Sequence, residues 1–136
     1  MQCRTRVSES LRLSFPVYPE TVILSALGPG GYHPRHADNC QQDASGRWVP
    51  DHTPQRVVTA IYYLNSDFDG GEIVFEREGL AIKPRAGVLL AFPSDRHHVH
   101  EVLPVRRGMR YTIPIWFTRR KKAALSGFDR PAATLA

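Results

Sequence analysis

Cysteine is nearly absent from this chain: Cys3 and Cys40 are the whole complement, and two thiols so far apart make no disulfide framework. Long apolar runs are absent too. Nothing approaches the roughly 20 consecutive apolar residues of a membrane-spanning helix, so no membrane partner is expected. The start, Met1-Gln-Cys-Arg-Thr-Arg6, runs into no apolar segment of the kind a secretory signal requires, which leaves the cytoplasm as the expected compartment. Internal repeats are missing. Acidic residues are the minority charge, 13 Asp and Glu against 18 Lys and Arg, for a net charge of +5. A basic balance invites a polynucleotide. Here, however, it concentrates in Arg106-Arg107 and Arg119-Arg-Lys-Lys122, and such runs are more often solvated than functional. They would attract an acidic protein equally well, so charge alone decides nothing.

What is present suffices for one folded domain. A length of 136 residues and 42% hydrophobic content suit a chain with its own core. The domain is expected over residues 1–122, with the core at about 20–118 and residues 123–136 as a loosely held tail. Weak helical spacing over Val7–Phe15 marks the end of a packing helix. Thr21–Leu27 reads as a strand, and Gly28-Pro-Gly-Gly31 as a turn. Short β-like runs then recur between turn signals: Val57–Leu64, Glu72–Phe75, Leu80–Lys83, Val88–Phe92, Val99–Leu103 and Met109–Phe117. That pattern predicts an all-β core, an antiparallel jelly roll with a short N-terminal helical segment. Asn39–Pro54 reads as a polar loop without period. Long loops in compact domains are often functional, and this one leaves a candidate site directly. Its one large aromatic, Trp48, either contacts substrate or pins the loop.

That candidate site begins at His36-Ala-Asp38. In an extended backbone residues i and i+2 share a face, and Pro34 just upstream opposes a helix. His100 follows 62 residues after Asp38, and Arg110 ten after that. Two imidazoles and a carboxylate form the facial set that holds non-haem Fe(II) with coordination positions left open. A guanidinium downstream can clamp a carboxylate through paired hydrogen bonds. Pro104 and Gly108 punctuate a turn between the last two β-like runs. A hairpin centred near Val105 would set His100 and Arg110 opposite each other on one face. Strand alternation turns His97 away but leaves His98 as a rival to His100. Arg110, Thr112, Pro114 and Trp116 share one face of the last run; Met109, Tyr111, Ile113, Ile115 and Phe117 share the other and are expected to enter the core. Thr59, Ile61 and Tyr63 share a face as well. The Tyr63 phenol either assists Arg110 or is an ordinary core tyrosine. Cys40 near His36 reads as a passive thiol, since a thiolate suits zinc better than an oxygen-handling iron.

The motifs resemble the prolyl-hydroxylase branch of the Fe(II)/2-oxoglutarate oxygenases. His36-Ala-Asp-Asn-Cys40 is similar to the first metal motif of leprecan-type prolyl 3-hydroxylases. Ile61-Tyr-Tyr-Leu-Asn65 and Asp67-Phe-Asp-Gly-Gly-Glu72 resemble both those enzymes and the oxygen-sensing prolyl hydroxylases, whereas Ser94-Asp-Arg96 and His100-Glu-Val102 look most like the oxygen-sensing group. The likeness covers about Glu20 to Thr118, in family order. It implies His36, Asp38 and His100 as iron ligands, Arg110 on the distal carboxylate of 2-oxoglutarate with help from Tyr63, and Ile61 and Trp116 lining the pocket. It also implies Fe(II), 2-oxoglutarate and O₂ as cofactor and cosubstrates, with ascorbate restoring oxidised iron. Collagen prolyl 4-hydroxylases carry lysine at the position of Arg110, and Pro114 stands where relatives are often small or hydroxylated. Nucleic-acid demethylases of the superfamily add an arginine six residues past the clamp; Trp116 stands there, so nucleic acid is not the expected partner.

The function these readings imply is hydroxylation of a C–H bond on a proline-containing protein or peptide, with succinate and CO₂ as coproducts. A hydroxylase of a free amino acid or other small-molecule metabolite would use the same ligands behind a different wall. A non-catalytic jelly-roll binding module would have no need of triad and clamp together. A zinc hydrolase would leave Arg110 without a role.

Overall fold

The computed structural model describes residues 2–125. Helix α1 spans Gln2–Ser10. The strands that follow among the described residues are β1 Tyr18–Val22, β2 Ser25–Leu27, β3 His33–His36, β4 Cys40–Gln42, β5 Trp48–Pro50, β6 Arg56–Tyr63, β7 Asp69–Gly70, β8 Ile73–Phe75, β9 Leu80–Ile82, β10 Leu89–Pro93, β11 His100–Val102, β12 Val105–Arg107 and β13 Arg110–Thr118. Every pairing is antiparallel. The larger sheet runs β1-β13-β6-β10, with β2 also on β13, and the smaller runs β3-β11-β8-β9. Ribbons β7–β12 and β4–β5 complete the set. This is the expected jelly roll with one short N-terminal helix, and none of the described helices is long and apolar enough to cross a membrane.

Alternation along β6 explains the layering. Ile61 and Tyr63 face inward and pack with Ile73, Phe75, Phe92 and Val102 between the sheets, whereas Val58 and Ala60 face outward and pack with Val7, Val17 and Phe117 beneath α1. A β-branched and aromatic run buried on both faces belongs at the centre of a sheet, and β6 sits between β13 and β10.

Several elements differ from the sequence reading. The helix occupies residues 2–10 rather than 7–15. It ends in a Schellman closure, with Leu13 N–H donating to the Ser8 carbonyl, Arg12 N–H to that of Glu9, and Arg12 at φ 49°. Leu11, Leu13 and Phe15 reach the outer core at two-residue spacing from non-helical backbone. The run 21–27 is two strands, because Pro114 of β13 accepts from Ile23 N–H and has no N–H to return. Residues 39–54 are no irregular loop. They hold the β4–β5 hairpin, closed where the Asp43 carboxylate accepts from Ser45 and Arg47 N–H. Of the outer strip on β13, Phe117 is buried, but Met109 and Tyr111 remain 38% and 39% exposed; α1 covers only the other end of that face. The turn at Gly28–Gly31 is as read, closed by Gly31 N–H to the Gly28 carbonyl with Gly30 at φ 84° behind Pro29, a type II geometry. At the start of the expected tail, Leu125 N–H donates to the Pro19 carbonyl, while residues 126–136 lie outside the described residues.

The largest correction concerns β11 and β13. They form no hairpin: β11 pairs with β3 and β8, β13 with β1, β2 and β6, and β12 pairs with β7. His100 and Arg110 therefore sit in opposite sheets and face one another across the sandwich.

Candidate metal centre and cosubstrate pocket

His36 and His100 lie directly opposite each other in the β3–β11 pair, with ring centroids 4.4 Å apart. Asp38, one residue beyond His36's alanine neighbour, is held by its N–H on the Ser94 carbonyl. Its Oδ1 lies 3.1 Å from His36 Nε2, its Oδ2 3.8 Å from His100 Nε2, and one donor atom from each of the three residues falls within 4.8 Å of the others. Both imidazoles are oriented the same way. His36 Nδ1 meets the Pro34 carbonyl at 2.6 Å and His100 Nδ1 meets that of His98 at 2.8 Å. A carbonyl only accepts, so each Nδ1 carries a proton and each Nε2 is turned toward Asp38, where its lone pair becomes available to a metal once that nitrogen is free of a proton. The His100 ring is further seated edge-on against Phe92, at 4.8 Å between centroids.

In the metal-free set an anionic Asp38 interacts with both imidazoles. Burial would raise the Asp38 carboxyl, but the bond from His36, the nearby His100 and the Thr59 hydroxyl outweigh it and hold the group below its ordinary range. Burial lowers His100, against the opposing pull of Asp38. For His36 burial acts the same way, yet the bonds to Asp38 and Pro34 prevail and raise it. Thr59 Oγ1 donates to Asp38 Oδ2 at 2.6 Å and lies 2.8 Å from Ser94 Oγ. With the threonine proton committed to the carboxylate, Ser94 must be the donor in the second bond. The chain Ser94→Thr59→Asp38 thus engages Oδ2 and leaves Oδ1 facing His36.

Across the sandwich Arg110 is 2% exposed and pairs with no carboxylate among the described residues. Its Nε donates to the Gly71 carbonyl at 3.1 Å, Nη1 to Thr112 Oγ1 at 3.4 Å and Nη2 to Tyr63 OH at 3.0 Å. Because Tyr63 accepts from Arg110, its own proton is free for another acceptor. Gly71, at φ 67°, makes this seat possible, since a Cβ there would stand 2.9 Å from Arg110 Cδ. A buried guanidinium bonded only to neutral groups calls for an anion. Triad and guanidinium open into one cavity of about 140 Å³, lined also by Ile61, Pro114 and Trp116.

The sequence-identified set therefore comes together except for Trp48, and the rival ligand His98 does not join it. His98 lies in the 3₁₀ turn Arg96–His98, bonded to Asp95, so strand alternation never applied to it; like His97 it lies outside the metal cluster. Trp48 lines a separate groove. Conversely, His33, Ser25 and Ile23 line the cavity and went unread. For His33 the signal was Pro34. The β3–β11 register gains a residue between His33 and His36, and this bulge at a proline brings positions three apart onto one face.

Residues 22–118 match the 2OG-Fe(II) oxygenase superfamily, and the chain belongs to that family, whose members use Fe(II), 2-oxoglutarate and O₂. Prolyl 3-hydroxylase 2 of Mus musculus is 39% identical over 94 residues, covering 63% of this chain but only 13% of the mouse protein. A prolyl hydroxylase from Trichoplax adhaerens, solved with a hypoxia inducible factor oxygen degradation domain peptide, is 31% identical with a TM-score of 0.61 over 82% of this chain and 50% of its own. The viral collagen prolyl hydroxylase of Paramecium Bursaria Chlorella virus-1 shares the fold, with a TM-score of 0.70 at 23% identity over 88% of this chain and 70% of that one. The chain thus spans about an eighth of the length of the mouse relative.

Proposed function

We propose that this chain is a 2-oxoglutarate-dependent hydroxylase acting on a peptidyl proline, with His36, Asp38 and His100 as the iron ligands and Arg110 and Tyr63 as the cosubstrate clamp. The observation that carries it is the buried Arg110 without an acid partner, facing the His-Asp-His set across one cavity. Two imidazole nitrogens and one carboxylate oxygen would suit Fe(II) and leave its remaining positions free. Iron held there would supply the redox chemistry by which O₂ gives one oxygen atom to succinate, formed with CO₂ from 2-oxoglutarate, and the other to a substrate C–H bond as a hydroxyl. The residues supply orientation. Arg110 and the Tyr63 hydroxyl would bind the distal carboxylate, and Ile61 and Trp116 would shape the walls. The peptidyl proline rests on the prolyl-hydroxylase relatives.

The test is succinate formation from 2-oxoglutarate with Fe(II) and ascorbate, with and without a panel of proline-containing peptides. A coupled mass gain of one oxygen on a peptide is the expected result. Clean hydroxylation of a free amino acid, with every peptide unmodified, would move the substrate to the small-molecule class.

Thr59 supplies a separate check on the ligand assignment. Thr59→Val keeps the shape but removes the proton that holds Asp38 Oδ2, and loss of such a supporting bond typically weakens metal affinity by roughly 10–100-fold. Titration with Co(II), read in its visible spectrum, should show that loss, and Thr59→Ser should restore most of it. Equal Co(II) affinity in the valine variant would mean that Asp38 needs no such support.

A further inference from the structure

The groove that holds Trp48 lies apart from the triad cavity. Arg35 and Glu76 are among its lining residues and share an Nε–Oε2 ion pair of 2.6 Å. Half-buried Trp48, on the β4–β5 hairpin, and exposed Arg77, Arg96 and His97 also line this space of about 370 Å³. That is more than twice the volume beside the triad. Glu76 offsets Arg35, but Arg77 and Arg96 have no acid partner among the described residues. The groove is thus locally cationic around one indole.

We propose that this groove is a docking site for an acidic stretch of the same polypeptide whose proline enters the triad cavity, an inference that rests on the hydroxylase reading above. The chemistry is complementary: paired guanidiniums take carboxylates through forked hydrogen bonds, and an indole face takes the ring or aliphatic body of a neighbouring residue at little entropic cost. Trp and Arg together are the residues that most often dominate peptide and protein interfaces. A polynucleotide fits less well, because tight binding there needs many phosphate contacts and Glu76 lines the groove.

The two sites are also linked through one strand. Arg35 and His36 are neighbours in β3, the edge strand of the smaller sheet. His36 points into the sandwich and Arg35 to the outer face, and His33, Pro34 and Arg35 are exposed. A peptide crossing that edge would engage both sides at once. The bound acidic segment then acts as a tether that raises the local concentration of the proline.

The test compares three fluorescent proline-containing peptides, acid-flanked, neutral and lysine-flanked, in direct binding and in turnover. The parent should bind the acid-flanked peptide roughly tenfold more tightly than the neutral one, a margin two exposed charge pairs can supply. Arg77→Glu/Arg96→Glu should erase or invert that preference. In turnover the same variant should raise KM for the acid-flanked peptide while kcat and the KM for 2-oxoglutarate stay at parental values. Equal binding of all three peptides by the parent overturns the docking site, as does a single-stranded oligonucleotide that displaces the acidic peptide at lower concentration. Binding that follows the expected order without any peptide hydroxylation supports the docking site and sinks the peptidyl-proline reading instead, so the two fail separately.

Discussion

Removing any one of the three ligand side chains should end both metal binding and turnover while the chain stays folded. Each contributes a different donor, and two donors on an open site hold a first-row divalent ion poorly. The variants must be chosen by burial. His36 is half-buried, so His36→Ala leaves little void. His100 is 4% exposed and packed against Phe75 and Phe92, where large-to-small truncation costs about 2–5 kcal/mol; His100→Gln is the better test. Asp38→Asn keeps the shape and removes the charge that both histidines and Thr59 face. Calorimetric titration with Fe(II) or Co(II) should find no tight site in any of the three, with circular dichroism at the parental value. Because ligand protons compete with the metal, parental affinity should fall as pH drops and the imidazoles charge. His98→Ala should bind and turn over as the parent does. An inactive His98→Ala beside an active His100→Gln would overturn the assignment.

How far the site was legible follows from which signals are local. Burial along β6 and the shared face of Arg110, Thr112, Pro114 and Trp116 on β13 are properties of backbone alternation, and all four of the latter line the cavity. The His36-x-Asp38 pair is local too. Pairing between strands is not. The hairpin around Val105 is the shortest closure for the 100–110 segment, yet Val105 instead pairs with Gly70, and the chain passes from the smaller sheet to the larger. His100 and Arg110 meet on one cavity either way, so the right constellation followed from the wrong connection. Where alternation itself breaks, the reading broke with it. The bulge at Pro34 brought His33 to the rim of the triad cavity, the 3₁₀ turn removed His98 from strand parity, and the hairpin after Asn39 carried Trp48 to a separate groove. The early end of α1 had no glycine or asparagine to announce it, because Arg12 takes the left-handed position itself.

Arg110 should set the 2-oxoglutarate requirement, and its loss should not cost the protein its fold. A buried guanidinium carrying only neutral partners is an expense to the isolated chain, recovered when a carboxylate arrives. Arg110→Met fills similar space without charge, so the ligand-free variant should melt no lower than the parent. Its affinity for 2-oxoglutarate should collapse, because truncating one side of a buried charge pair costs about 2–5 kcal/mol, on the order of 30-fold or more in the Michaelis constant. Arg110→Lys, which keeps charge but loses the fork, should fall between. Tyr63→Phe removes one neutral donor worth about 0.5–1.5 kcal/mol, a severalfold effect on the same constant. Thermal scans with and without 2-oxoglutarate, in the presence of Mn(II), separate the two possible roles. In the parent the cosubstrate should raise the melting temperature, and in Arg110→Met that rise should vanish while the ligand-free curve stays put. A large drop in the ligand-free curve with an unchanged cosubstrate response would make Arg110 a structural residue and leave the cavity without its anion clamp.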